Sequence, residues 1–284
     1  MRGHSINSND LELVYDENGV IDEAYLRDRN IIRYRTKTIK SGDILEVQSY
    51  PVWDTCSEIR KAKSKISTSG QRKLNHRNRQ SAAIRLINAN FTDKDMWATL
   101  TYSDKSMPPT YDAALKEGQK FIRRLKYYAQ KNNYPGLKYF HSIEQDKKGR
   151  WHHHLVTNFK DRDVLENLWR GGARKQTRRL QEDINGYEGL ARYITKQELE
   201  ENENPSSKKR HSYICSKNLV KPKVTVSDYK ISRAQARKIA EGRLDPMKLF
   251  KKLYPGYEFN TCEVKTSDFV SGCYLYVKLH KFRN

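Results

Sequence analysis

Two β-rich runs joined by a short turn constrain the fold of this chain more than any other feature. Residues 137–145 and 150–159 favour strands, because aromatic and β-branched side chains recur in both. The four residues between them, 146–149, end in Gly149, which suits the connection of a β-hairpin. The centre of the chain is therefore predicted to contain a pair of antiparallel strands.

The segments on either side of this hairpin predict alternating strands and helices. A β-rich run, 97–102, precedes a helix that Thr110 can cap and that extends to about residue 132, with apolar residues on one face. After the hairpin we predict a short helix over 163–170, a strand over 175–184 and a helix over 187–201. This order predicts an α+β fold in which a central antiparallel β-sheet is flanked by helices.

The charge of the chain limits the classes of partner. Its 284 residues include 55 Lys and Arg against 34 Asp and Glu, a formal net charge of +21, so the expected partner is a polyanion. No apolar run approaches the roughly 18 residues that cross a bilayer, and residues 1–6 lack the apolar segment of a signal peptide. The four cysteines form no C-x-x-C pair, which favours neither a disulfide framework nor a thiolate zinc site. We therefore expect a cytoplasmic protein.

Composition along the chain suggests three regions. Residues 71–200 contain the predicted strands and helices and begin with a helix, 71–90, that has a basic face. Residues 1–70 are interpreted as an N-terminal extension of uncertain structure. A polar segment with Pro and Ser, 200–210, is typical of an exposed loop or linker. It opens a basic C-terminal region, 201–284, that could pack on the central domain.

Three of the eight histidines are adjacent, at His152, His153 and His154. Side chains in a strand alternate between faces, so His152 and His154 share one face at about 7 Å along the strand, and His153 lies on the other. Glu144, at the end of the preceding strand, is placed to add a carboxylate. Two imidazoles and one carboxylate suit Mg²⁺, Mn²⁺ or another borderline cation. A surface histidine cluster that binds no metal is the alternative.

A second pattern, Tyr193-Ile194-Thr195-Lys196, falls on the last predicted helix. Tyr193 and Lys196 are three residues apart and therefore lie on one helix face. A phenol beside an ammonium group is a suitable nucleophile towards phosphorus, because the ammonium can neutralise charge in the transition state. The pattern alone is not specific in a chain with 18 tyrosines, and a surface Tyr–Lys pair is the alternative.

The order of the motifs resembles the HUH endonucleases, specifically the rolling-circle replication initiator (Rep) proteins of bacterial plasmids and phages. Residues 97–102 (WATLTY) are similar to the first family motif, residues 152–156 (HHHLV) to the His-hydrophobic-His motif, and residues 193–196 (YITK) to the Y-x-x-K motif. The resemblance covers about residues 75–200. His153 stands where the family has an apolar residue, so another two of the three histidines could form the ligand pair, although strand alternation favours His152 and His154.

The resemblance implies a nuclease domain of ferredoxin/RRM-like topology over 71–200 and a site-specific DNA nicking and joining activity that initiates rolling-circle replication. A divalent metal ion, Mg or Mn, held by His152, His154 and Glu144 would polarise the scissile phosphate. Tyr193 would attack phosphorus and form a 5′-phosphotyrosine with a free 3′-hydroxyl. Lys196 would orient the strand or neutralise charge.

The implied partner is single-stranded DNA at a replication origin, with a hairpin as an expected part of that origin, in the cytoplasm of a bacterial, plasmid or phage host. A host helicase and polymerase would follow, and no membrane is involved. We expect one nucleophile, because Tyr187 precedes Tyr193 by six residues and falls on another helix face. Basic residues that could contact phosphates are Arg72, Lys73, Arg77, Arg174, Lys175, Arg178 and Arg179.

Three alternatives remain open at this stage. A relaxase or a transposase of the same nuclease class would use the same active site. A basic nucleic-acid-binding protein without catalytic activity would retain the charge and lack the chemistry. For each basic residue named above, a solvated surface position is the ordinary explanation.

Overall fold

The computed structural model describes residues 31–53, 69–172, 175–195, 213–267 and 270–281. The chain divides into two units, one of residues 71–221 and one that combines residues 1–70 with 222–284. Each unit contains a five-stranded antiparallel sheet. Together with the helices of the described residues, these sheets confirm the predicted α+β class.

The strands and helices are numbered in chain order over the described residues. The strands are β1 (Ile31–Ser41), β2 (Ile44–Trp53), β3 (Met96–Thr101), β4 (Tyr139–Gln145), β5 (Trp151–Thr157), β6 (Lys175–Arg179), β7 (Ile214–Cys215), β8 (Lys223–Ser227), β9 (Glu258–Ser267) and β10 (Val270–His280). The helices are α1 (Ser69–Asn90), α2 (Tyr111–Lys131), α3 (Arg162–Leu168), α4 (Glu188–Ile194), α5 (Arg233–Ala240) and α6 (Pro246–Leu253). None of these helices is long and apolar enough to cross a membrane.

The unit of residues 71–221 has the strand order β6-β3-β5-β4-β7. Elements β3 to β6 follow the βαββαβ sequence, and every neighbouring pair is antiparallel, which is the ferredoxin-like arrangement. The hairpin between β4 and β5 turns at Gly149, whose φ of +79° is a conformation that glycine adopts without strain. The amide of Gly149 donates to the carbonyl of Asp146 at 2.9 Å and closes this turn.

Helices cover the two faces of this sheet unequally. Helix α2 begins at its cap, Thr110, whose side chain accepts a hydrogen bond from the amide of Ala113. Its apolar face packs with α3 on one side of the sheet, where Leu100, Phe121 and Leu155 are fully buried. Helices α1 and α4 pack on the opposite side, around Phe140 and Val156. This second side also carries the candidate site residues.

The other unit has the strand order β8-β1-β2-β10-β9. The hairpin of β1 and β2 is completed by strands from a distant part of the chain, because Ile44 of β2 pairs with His280 of β10 and Thr36 of β1 pairs with Ser227 of β8. Its core contains Val47, Phe250 and Val277 together with apolar residues of α5 and α6. Residues 31–53, interpreted from sequence as part of an uncertain extension, are thus strands of a sheet.

Two predicted boundaries in the central segment were wrong. The strand expected over 175–184 ends at Arg179, because the next amide, that of Leu180, donates to the carbonyl of Asp95, outside the β3–β6 ladder. Residues Asp183 and Gly186 then bond to each other in a turn. Helix α4 begins at Glu188, close to the expected start, and its expected continuation over 196–201 lies outside the described residues.

Candidate active site

The histidine motif forms most of β5, and its neighbours in the sheet fix which side chains meet. In the antiparallel register, His152 lies between Thr101 of β3 and Glu144 of β4. His154 lies one row further along, between Thr99 and Ser142. Residues in register share a face, so the structure brings both imidazoles and the Glu144 carboxylate to the same side of the sheet.

Each of the two imidazoles on this face contacts its own carboxylate. His154 Nε2 lies 2.7 Å from Glu144 Oε2, and His154 is almost completely buried. His152 Nε2 lies 3.0 Å from Asp146 Oδ2 in the hairpin turn. Burial would raise the pKa of Asp146, but hydrogen bonds from the Arg150 amide and from His152 hold it below its usual value. Asp146 was not predicted as a site residue, because in sequence it is an ordinary turn residue.

The fit of this face to a divalent cation is chemical and not yet geometric. Within the described ranges, no group of three or more His, Cys, Asp or Glu side chains is arranged to hold a metal ion. Both Nε2 atoms are engaged by carboxylates, so a cation would have to replace these hydrogen bonds. The donor types match those of a hard or borderline cation, and the buried hydroxyl of Ser142, beside His154, has no hydrogen-bond partner among the described residues.

His153 points to the opposite side of the sheet and belongs to a buried polar chain. Its Nε2 lies 2.6 Å from the Tyr102 hydroxyl, and its Nδ1 lies 2.8 Å from Nε2 of His141. Burial lowers the pKa of His153 far below its usual value and that of His141 to about 4, so both rings are neutral near pH 7. Gly118 of α2 makes room for them, because a Cβ there would lie 2.7 Å from His141.

Helix α4 holds Tyr193 over the face that carries His154. The two ring centroids are 5.3 Å apart in an edge-to-face arrangement, and the Tyr193 ring also meets Trp97 of β3 at 6.1 Å. Tyr193 remains 45% exposed, which leaves its ring open to a ligand. Tyr187 is instead buried in the core between α1 and the sheet. Lys196 lies outside the described residues.

The predicted phosphate contacts are distributed over α1 and β6. Lys73 and Arg77 are exposed on α1, and Arg178 and Arg179 are exposed on β6. Arg178 is in register with Trp97 and therefore shares the face of Tyr193 and His154, whereas Arg179 hydrogen-bonds to the carbonyl of Lys94. The three remaining predictions have a different standing: Lys175 is half-buried, Arg174 is outside the described residues, and for Arg72 only the backbone of α1 is described.

Sequence reasoning missed several residues that complete this region. Trp97 and Thr99 lie in the run that resembles the first family motif, but their contacts with Tyr193 and with His154 Nδ1 (3.3 Å from Thr99 Oγ1) require the fold. Tyr102 and His141 gave no signal as partners of His153, because 51 and 12 residues separate them from it along the chain.

Comparison with known families agrees with the fold and the motifs. Residues 95–198, which include β3 to β6 and the described part of α4, match the family model of the replication-associated protein ORF2. The match covers less than half of the chain. It agrees with the resemblance to rolling-circle replication initiators and supports a role in replication, with action on origin DNA. No curated protein and no solved structure matches the chain significantly.

Proposed function

We propose that this protein nicks one strand of DNA at a replication origin and so initiates rolling-circle replication. The observation that carries the proposal is the contact of the Tyr193 ring with His154, on the sheet face that also holds His152 and Glu144. A nucleophile and a set of metal-binding side chains meet there, within the segment that matches a replication-associated family. The net charge of +21 suits a DNA substrate.

The proposed reaction is a transesterification. The Tyr193 oxygen forms a bond to the scissile phosphorus, and the bond from phosphorus to the 3′-oxygen breaks. The phenol proton passes through solvent to the departing 3′-oxygen, so the products are a 5′-phosphotyrosine and a free 3′-hydroxyl that can prime synthesis. Because the number of phosphoester bonds is unchanged, a 3′-hydroxyl can later reverse the step and join the ends.

Other residues of this face would position the substrate. A divalent cation, Mg²⁺ or Mn²⁺, would be held by His152, His154 and Glu144 and would supply charge stabilisation to the phosphate when bound. Arg178, exposed on the same face, is placed to contact the backbone of the strand. Trp97 and the open ring of Tyr193 offer surfaces on which an unpaired base can stack. Lys196 keeps its proposed role of neutralising charge beside Tyr193.

The test is covalent trapping of DNA. The full chain is incubated with a pool of randomised single-stranded oligonucleotides and Mg²⁺ or Mn²⁺, and adducts are separated on a denaturing gel and sequenced. We expect an adduct that carries the 5′ end of the cut strand and that Tyr193→Phe abolishes while DNA binding persists. Tyr127→Phe is the matched control, because Tyr127 is 68% exposed on α2, on the side of the sheet away from His154.

A non-catalytic nucleic-acid-binding role is the second candidate. It is favoured by the carboxylate partners that already occupy the two imidazoles. If wild type forms no adduct with either cation but binds single-stranded DNA in a salt-sensitive manner, this second role replaces the first. An adduct that survives in Tyr193→Phe would instead assign another nucleophile.

A further inference from the structure

A pocket lies on the side of the central sheet that faces away from Tyr193 and His154. It has a volume of about 230 Å³ and opens between α2, β4 and β7. This is below the roughly 300–1,000 Å³ typical of sites for drug-sized ligands. The size suits one small group. Its lining combines Gln119, Arg123 and Lys126 of α2 with Tyr139, His141 and Ile214 of the two strands.

The buried polar chain behind β5 fixes what His141 offers to this pocket. Burial raises the pKa of Tyr102, so its hydroxyl is protonated and donates to His153 Nε2 at 2.6 Å. The neutral His153 then carries its hydrogen on Nδ1 and donates it to His141 Nε2 at 2.8 Å. The hydrogen of the neutral His141 must therefore lie on Nδ1, where no hydrogen bond is seen within the described part of the chain. His141 thus presents a donor.

The remaining polar groups of the pocket are also donors. Arg123 and Lys126 are exposed and lie three residues apart on one face of α2, and Lys126 Nζ sits 5.2 Å from the Tyr139 ring centroid. No carboxylate of the described residues lines the pocket. Two cations and a neutral N–H donor together favour a ligand with several acceptor oxygens and negative charge, and a phosphate group has both.

The walls of the pocket suit the other part of such a ligand. Ile122, the Tyr139 ring and Ile214 form an apolar surface beside the cations. An inorganic phosphate would leave this surface unused, whereas a nucleotide would place its base or sugar there. Acceptors on a base can also meet the side-chain amide of Gln119.

We propose that this pocket binds a single nucleotide through its phosphate, with Arg123 and Lys126 as the anion-binding residues and His141 as a neutral donor at the inner wall. The nucleotide is either free or one unit of a single strand, because both present the same chemistry. The proposal rests on the pocket alone and requires neither Tyr193 nor nicking activity. It adds a second nucleic-acid contact to the domain, on the side of the sheet opposite the candidate active site.

The experiment compares two charge-matched double variants of the full chain. Arg123→Glu with Lys126→Glu reverses the pocket cations, and Lys116→Glu with Lys131→Glu reverses two exposed cations of α2 that do not line the pocket. Arg123→Gln with Lys126→Gln removes the pocket charge without reversing it. Calorimetric titrations use each deoxynucleoside monophosphate in one arm and a short single-stranded oligonucleotide in the other, and circular dichroism verifies folding.

We expect the pocket variant to bind at least one probe about tenfold or more weakly than the control variant, because each lost charged hydrogen bond is worth about 1.5–3 kcal/mol. A selective loss with monophosphates assigns a free nucleotide, and a selective loss with the oligonucleotide alone assigns a unit of a strand. Equal losses in both variants, or no loss in either arm, would overturn the proposal. Nicking measured on the same proteins separates this result from the fate of the proposed function.

Discussion

His153 and His154 are neighbours on one strand, yet their surroundings differ completely. His154 contacts a carboxylate, Glu144, on the face that Tyr193 covers, whereas His153 contacts two neutral partners, Tyr102 and His141, beneath α2. Both side chains are almost fully buried. Strand alternation alone sends one imidazole to a face with charged groups and the other to a face where charge is excluded. Burial by itself therefore does not tell which histidine performs chemistry.

The largest effect should come from the face with the carboxylates. His152→Ala with His154→Ala should reduce nicking by several orders of magnitude and leave salt-sensitive DNA binding nearly intact, since the phosphate contacts lie on other residues. Adduct formation and filter binding measure the two properties. Equal nicking by the double variant and by wild type would remove these histidines from the site.

The opposite face should respond through stability. His153→Ala leaves Tyr102 and His141 without their shared partner and creates a cavity, so we expect the free energy of unfolding to fall by about 2–4 kcal/mol. Urea titration measures it. His152→Ala is the control within the same motif, with an expected loss of at most about 1 kcal/mol because its ion pair with Asp146 is partly exposed. Equal losses would erase the distinction between the faces.

Acidification should sharpen the same comparison. The pKa of His141 is about 4 in the folded protein and about 6.5 when unfolded, so between these values the unfolded chain binds more protons. Stability from this residue is complete above pH 6.5 and is lost as the pH falls towards 4. The urea midpoint of wild type should decrease more steeply over this interval than that of His141→Gln. Parallel pH profiles would contradict a neutral buried imidazole.

The smallest expected effect concerns two adjacent arginines of β6. Arg178→Ala should weaken binding of single-stranded DNA by about 1 kcal/mol, roughly fivefold, and reduce the salt slope by about one, because it removes one phosphate contact on the Tyr193 face. Arg179→Ala should change binding less, since Arg179 hydrogen-bonds to the Lys94 carbonyl. Fluorescence anisotropy at several salt concentrations measures both. A larger effect at Arg179 would place the strand on the other side of the sheet.

Local patterns predicted much of the central fold. The hairpin at Gly149, the cap at Thr110 and the alternation along β5 are encoded within a few residues, and each could be predicted from the sequence. The contacts of His153 were not predictable in this way, because Tyr102 and His141 reach it only when β3 and β4 flank β5. A histidine in place of the usual apolar residue gave a signal that something polar lies behind the strand, but not which residues.

Long-range pairing set the limit elsewhere. The strands β1 and β2 pair with each other, but their other neighbours, β8 and β10, are distant in sequence, so residues 31–53 gave only isolated β-rich runs. The same applies to Asp146, whose contact with His152 depends on the hairpin turn and not on a motif. The site residues Tyr193 and Glu144 were proposed from the family resemblance and from spacing, and their roles await the experiments above.

The pairing of Ile44 with His280 has a consequence for how the protein is made. A ribosome releases the hairpin of β1 and β2 early but supplies its neighbour β10 only after every strand of the other sheet, so the sheet that contains β10 must close later. The sheet of residues 71–221 can close sooner, because all of its strands leave the ribosome in between. The candidate catalytic half is therefore expected to mature on the nascent chain while the early hairpin still waits for its partner.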